Sequence, residues 1–200
     1  MDQATPPPGS TTTGERVRLI EAFAKVASER GFKRTTIRQV TERAGLEENA
    51  FHRHFTDLED CFVATYERAS RILLAMMQDA FRAEPDWRDG LRAMLRTALN
   101  GLAASPGYAR IALVEAPASG QRMRQARLRV SAAYREALSD SYMPFLPREV
   151  QAAFMSGVYS QIARYVESGR ATELPDLLPE LTYFTLLPSL DPVDAATELT

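Results

Sequence analysis

The chain has 200 residues, 45% of them hydrophobic, and a formal net charge of −2. That length suits one large domain or two small ones, and the apolar share is enough for a packed core. The near-neutral balance argues against a general polyanion binder, the lone cysteine, Cys61, excludes an internal disulfide framework, and the absence of any run of about 18 apolar residues excludes a transmembrane helix.

The charge is unevenly placed. Residues 14–56 hold nine Lys/Arg against six Asp/Glu, whereas residues 57–200 hold fifteen against nineteen. This asymmetry fits a nucleic-acid module carried on a mildly acidic body. The opening MDQATPPPGSTTTG has neither the basic start nor the apolar run of a secretory signal. Its Pro, Ser, Thr and Gly content predicts a disordered arm over residues 1–13. With the single cysteine, this points to the cytoplasm.

The predicted elements are all helical. Glu15 to Arg30 carries Ile20, Phe23, Ala24 and Ala27 on one face and stops at Gly31. Thr35 or Thr36 can cap a second helix ending near Ala44, and after Gly45 a third runs from about Glu47 to Phe55. Asp57 opens a long fourth helix to about Ala83, roughly 40 Å at 1.5 Å per residue, with one stripe from Leu58 through Ile72, Met76 and Met77 to Phe81. Trp87 to Leu102 marks a fifth, Tyr108 to Glu115 a sixth, and Gln121 to about Ser141 a seventh with Met123, Ala126, Val130, Ala133, Ala137 and Leu138 inward. Pro144 and Pro147 punctuate the chain before an eighth helix, Arg148 to Ser168, and Pro175 and Pro179 bracket the start of a ninth. Period-two alternation is missing throughout, so no strand is predicted. The expected organisation is a disordered arm (1–13), a three-helix module (14–56), a helical body (57–190) and a flexible tail (191–200).

Within the module, TIRQVTERAGLEENAFHRHF has the form of a helix-turn-helix. Ile37, Val40, Ala44, Phe51 and Phe55 are spaced to pack inward, Gly45 sits at the turn, and polar side chains face out. Arg18 to Phe62 resembles the tetracycline-repressor (TetR) family of bacterial regulators. The resemblance is carried by IEAFAKVASERGF, TTIRQVTERAGL, FHRHF and LEDCF, about a quarter of the chain. It implies an all-α protein with an N-terminal helix-turn-helix DNA-binding domain and a C-terminal domain for ligand binding and dimerisation.

Carried over residue by residue, Thr36 caps the second helix or touches phosphate, and Arg38 faces out toward a guanine. Glu48 accepts from a cytosine amine or, alternatively, only favours the helix dipole. Asn49 pairs with adenine or replaces a flexible glycine. His52 stands where the family usually has a phosphate-binding Tyr, and Arg53 and His54 are further phosphate candidates; a structural or merely exposed role for one of the two His is the alternative. Leu58 falls where the family often carries Lys. Arg16 and Arg18 are placed to reach an adjacent groove. His52 and His54 do not share a helix face and make a poor metal pair. Cys61 reads as a buried structural thiol.

For the body, the resemblance implies a pocket formed among helices four to seven and a dimer through the last two helices. Tyr66, Met77, Trp87, Met94, Tyr108 and Tyr134 are wide, adaptable or part-polar residues on inward faces; each is a pocket candidate or core filler. Glu115 interrupts the apolar IALVEA and either anchors a ligand's polar group or pairs with Arg110. Ala153, Gly157 and Ser160 form a small-residue strip on helix eight that suits close helix packing, within the monomer or across a dimer.

The expected function is transcription regulation: a homodimeric repressor on a palindromic double-stranded DNA operator, released by a small apolar effector. The alternative is a ligand-independent regulator or an activator with the same module. No catalytic, metal or cofactor site is expected, since no phosphate-cradling Gly loop or metal-spaced cluster occurs and the only two His lie on the recognition helix. No membrane partner is expected.

Overall fold

The computed structural model describes residues 8–142 and 147–187, with side chains over 13–138 and 147–187. Arm residues 1–7, Pro144 and the expected tail at 191–200 lie outside the described residues. Among the described residues there are nine α-helices and no strand. They are α1 (Pro8–Arg30), α2 (Ile37–Ala44), α3 (Glu48–His54), α4 (Leu58–Arg82), α5 (Trp87–Ala103), α6 (Pro106–Arg110), α7 (Gln121–Tyr142), α8 (Arg148–Glu167) and α9 (Leu178–Leu186). A 3₁₀ turn, Phe32–Arg34, follows α1; a π-helical turn, Ile111–Glu115, prolongs α6; and a 3₁₀ stretch, Ala171–Leu177, leads into α9.

Helix α1 begins at Pro8, ahead of the expected Glu15, so residues 8–13 are helical rather than part of a disordered arm. Pro8 stands at the first helical position, where proline's fixed φ and missing N–H are tolerated. Elsewhere the boundaries follow local chemistry. Asp57 caps α4 by accepting from the Asp60 N–H at 2.9 Å, and Asp86 caps α5 by accepting from the Arg88 N–H at 2.8 Å.

Two apolar cores form. The first joins Leu19, Phe23, Val40, Phe51 and Phe55 to Cys61 and Phe62 of α4, and continues into Ile111, Met123 and Ala126. It therefore crosses the expected module boundary at Thr56/Asp57. The second core is built from Met77, Leu91, Met94, Leu95, Leu99 and residues of α8 and α9. Helix α4 takes part in both and lies along α5 and α7. Its predicted stripe is interrupted in the middle: Ile72 and Met76 are 49% and 50% exposed. They sit one helical turn apart on a face outside both cores, so periodicity placed them together correctly but inward wrongly. Ala133 of α7, also expected inward, is exposed.

Candidate functional site

The helix-turn-helix is built by three local devices. Thr36 and Gln39 form a capping box: the Thr36 hydroxyl accepts from the Gln39 N–H at 3.3 Å, and the Gln39 carboxamide oxygen accepts from the Thr36 N–H at 3.1 Å. Gly45 closes α2 in the left-handed conformation, φ 63° and ψ 43°, where a Cβ is costly. The Leu46 N–H then returns to the Thr41 carbonyl at 2.9 Å and the Gly45 N–H to the Glu42 carbonyl at 3.1 Å, which satisfies the free end of α2. Finally, buried Phe51 and Phe55 stack at 5.5 Å and hold α3 by its inner face.

In this geometry Thr36, Arg38, Glu48, Asn49, His52 and Arg53 are all exposed. Arg38 is 78% exposed and pairs along the helix with Glu42 at 2.8 Å, which pushes its pKa further up. His54 takes the structural one of its two expected roles. Its side chain is only 4% exposed, and its Nε2 donates to Glu15 of α1 at 3.0 Å. It locks α3 against α1 and does not join the outer face. Arg53 shares the same carboxylate at 3.1 Å but remains exposed. The Glu15 carboxyl is held below its ordinary range, first by His54 and then by Arg53. Neither Arg16 nor Arg18 extends as an arm: Arg16 lies 5.2 Å over the Phe55 ring, and Arg18 donates to the carbonyls of Ala44 and Gly45.

The seven body candidates fall into three places. Met77, Met94 and Trp87 belong to the second core. Tyr66, Tyr108 and Tyr134 come together where α4, α6 and α7 meet, and burial pushes all three phenols up. The Tyr134 hydroxyl donates to the Ser70 carbonyl at 3.0 Å. For Tyr66 the rise from burial is partly offset by Arg127 of α7, which the sequence reading did not single out. Glu115 is engaged elsewhere. It accepts from the Phe32 N–H at 2.7 Å, just after α1, with Arg110 at 3.5 Å. Of its two expected roles, the Arg110 pair is present and the stronger contact is to the module's backbone. Arg122 makes a second tie, to the Asp57 cap at 2.6 Å and to Glu59 at 2.9 Å, and holds the Asp57 carboxyl down.

Two grooves open on the surface, of about 470 Å³ beside Arg164–Arg170 and about 220 Å³ between Leu99 and Leu178; neither is lined by any of the seven candidates. The Cys61 thiol is fully buried and pushed up to about 12 by that burial. Among the described residues no helix is long and apolar enough to cross a membrane.

Comparison with known proteins places this geometry. Residues 19–65 match the family described as bacterial regulatory proteins, tetR family. Among solved structures, the fatty acid degradation regulator FadR from Bacillus halodurans is 16% identical with a TM-score of 0.76, covering 88% of this chain and 99% of its own. FadR from Bacillus subtilis, in complex with stearoyl-CoA, is 16% identical with a TM-score of 0.74, covering 86% and 97%. RolR, in complex with resorcinol, is 14% identical with a TM-score of 0.66, covering 96% of each chain. At these identities the solved structures establish a shared fold, and the matched segment is the helix-turn-helix module.

Proposed function

We propose that this chain, a TetR-family transcriptional regulator and not an enzyme, is a homodimeric repressor released from a palindromic operator by a small apolar ligand. The observation that carries the reading is the joint exposure of Thr36, Arg38, Glu48, Asn49, His52 and Arg53, while Phe51 and Phe55 anchor the helix from within. On DNA, Arg38, Glu48 and Asn49 read base edges, and Thr36, His52 and Arg53 hold phosphates. His54 is left out, because its ring is committed to Glu15.

The division of labour follows residues 14–56 for DNA and 57–190 for effector and dimer. Dimerisation runs through α8 and α9. Val150, Tyr159, Phe184 and Leu187 expose apolar surface there, and Phe154 and Phe184 stack at 4.9 Å to join the two helices into one face. Such a dimer sets two recognition helices about 34–36 Å apart, one turn of DNA. Relatives of the same fold that hold stearoyl-CoA and resorcinol support a body that takes ligands. A ligand that prefers the DNA-free arrangement weakens operator binding by its differential affinity for the two states. The site of action is the cytoplasm. A ligand-independent regulator or an activator would use the same module.

The test is binding to DNA fragments, including the gene's own upstream region, at several salt concentrations. A steep salt slope with preference for a palindrome is expected. If no fragment outcompetes random DNA, the repressor reading fails. Arg38→Ala should cost about 1–3 kcal/mol at one base position and relax sequence preference, whereas His52→Ala should weaken all sites alike. Equal effects from both would sink the role assignment.

A further inference from the structure

We infer that the turn Phe32–Arg34, between α1 and α2, is a further anchor on the DNA backbone, with Lys33 and Arg34 each holding a phosphate. The inference rests on the DNA-binding reading above and extends it to residues outside the two helices of the motif.

The argument starts from what occupies each cation of the module. Residues 14–56 hold nine Lys/Arg. Arg38, Arg43 and Arg53 each pair with a carboxylate, Arg16 lies over the Phe55 ring, and Arg18 donates to two carbonyls. Four remain. Lys25 stands alone on α1, with Glu21 and Glu29 one helical turn to either side. Arg30, Lys33 and Arg34 fall within five residues, all exposed, and none of them pairs with a carboxylate among the described residues. Cations at the end of a helix favour its dipole. That accounts for Arg30, and for the Arg34 Nε, which donates to the Arg30 carbonyl at 2.6 Å. It leaves the terminal nitrogens of the Arg34 fork and the whole Lys33 ammonium without a hydrogen bond or ion pair among the described residues. The acids near this turn are already engaged. Glu115 accepts from the Phe32 N–H at 2.7 Å and has Arg110 at 3.5 Å, and Glu29 is held by Arg43 at 2.9 Å.

The backbone that carries these two charges is fixed. The Arg34 N–H returns to the Gly31 carbonyl at 3.3 Å and the Thr35 N–H to the Phe32 carbonyl at 3.0 Å. The Thr35 hydroxyl, itself buried, donates to the Gly31 carbonyl at 3.0 Å, and the Phe32 ring packs on Phe62 at 4.6 Å. A turn held this way needs little ordering to receive a ligand. Thr36, the α2 cap assigned above to a phosphate, stands two residues after Arg34, so the turn adjoins the proposed contacts. The planar Arg34 fork suits two phosphate oxygens, and Lys33 supplies a point charge. Neither has an ion pair to give up.

The experiment needs no operator, because phosphate contacts are independent of sequence. The full chain is titrated onto a labelled random-sequence duplex, and fluorescence anisotropy gives the affinity between about 50 and 200 mM salt. Each phosphate contact contributes about 0.9 to the slope of log affinity against log salt. Over that range the affinity of Lys33→Ala/Arg34→Ala should fall about tenfold less than that of the parent, and the affinity of Lys33→Ala alone about threefold less. Arg34→Lys, which keeps the charge, should follow the parent. Arg82→Ala/Arg88→Ala removes the same charge beyond the far end of α4, roughly 36 Å from its start, and should leave the slope unchanged. Melting curves check folding. Should the double variant not fold, Lys33→Ala, whose ammonium holds no partner, carries the test alone. A parent slope retained by Lys33→Ala or by a folded double variant overturns the inference and leaves the DNA-binding reading standing. An equal loss of slope in Arg82→Ala/Arg88→Ala also overturns it, because net charge then explains the effect. A parent that fails to bind the duplex, or binds it without salt dependence, overturns both.

Discussion

Removing the Glu115 carboxylate should loosen the DNA module from the body. In the folded chain Glu115 accepts from the Phe32 N–H at 2.7 Å, with a side chain only 19% exposed. A charged acceptor on a partly buried backbone donor contributes about 1.5–3 kcal/mol. The Arg110 contact, at 3.5 Å and with Arg110 70% exposed, adds little. Glu115→Ala should therefore cost about 2 kcal/mol and leave the Phe32 N–H unpaired. For a chain of this size that is a fall of about 4–8 °C in Tm. Glu115→Gln keeps an acceptor oxygen and should lose about half as much. Gly31 supplies an internal control. Its φ is +83°, and a Cβ there would lie 3.2 Å from Glu115 Oε1. Gly31→Ala should thus destabilise through both backbone and carboxylate, and the double variant Gly31→Ala/Glu115→Ala should lose less than the two single losses combined. Calorimetric melts and urea titrations measure all four proteins. A Tm for Glu115→Ala within about 1 °C of the parent, or strict additivity in the double variant, refutes the clasp.

Three further outcomes follow from the site's local chemistry. Thr36→Ala removes the capping box of α2 and should cost about 1 kcal/mol in urea titration, with Thr36→Ser recovering most of it; loss of both alike would argue against the cap. Glu15 is held below its ordinary value of 4.5 by His54 and Arg53, so its contribution is complete above that value and lost as pH falls through the lowered one. Stability measured from pH 7 downward should lose part of its acid-side slope in Glu15→Gln, and an unchanged slope would contradict the pairing. Cys61, buried with a thiol pushed up to about 12, should resist thiol-directed reagents at pH 7 until the chain is unfolded; rapid labelling of the native protein would contradict its burial.

Much of the fold was legible because the sequence marks its own boundaries. Thr36, Gly45 and Asp57 each carry the local chemistry of a helix end, and apolar spacing placed Phe23, Val40, Phe51, Phe55 and Phe62 in the core. Periodicity identifies residues that share a face but not whether another helix covers it, which is why Ile72 and Met76 were misjudged. Exposure was legible where it depends on neighbours in sequence: Arg38, Glu48 and Asn49 are exposed as expected. It was not legible where a distant charge decides. His54 is bound by Glu15, 39 residues away, and Glu115 finds a backbone donor 83 residues away.

The outer face of the module carries its own counter-ions. Arg38 holds Glu42, Arg43 holds Glu29, and Arg53 holds Glu15, while Arg16 and Arg18 are occupied by an aromatic ring and two carbonyls. On the proposed reading, a DNA phosphate that engages Arg53 displaces a tethered carboxylate, Glu15, rather than a mobile salt ion. Fewer salt ions change places than phosphates are bound, so log affinity should fall with log salt less steeply than a count of contacts implies. The displaced acid stays beside the backbone and repels it. Under the proposed roles of Glu48 and Asn49, non-specific DNA offers no compensation for that repulsion, whereas a sequence that also satisfies these two residues does. A surface neutralised from within in this way weakens attraction to DNA in general and widens the gap between the right sequence and the rest.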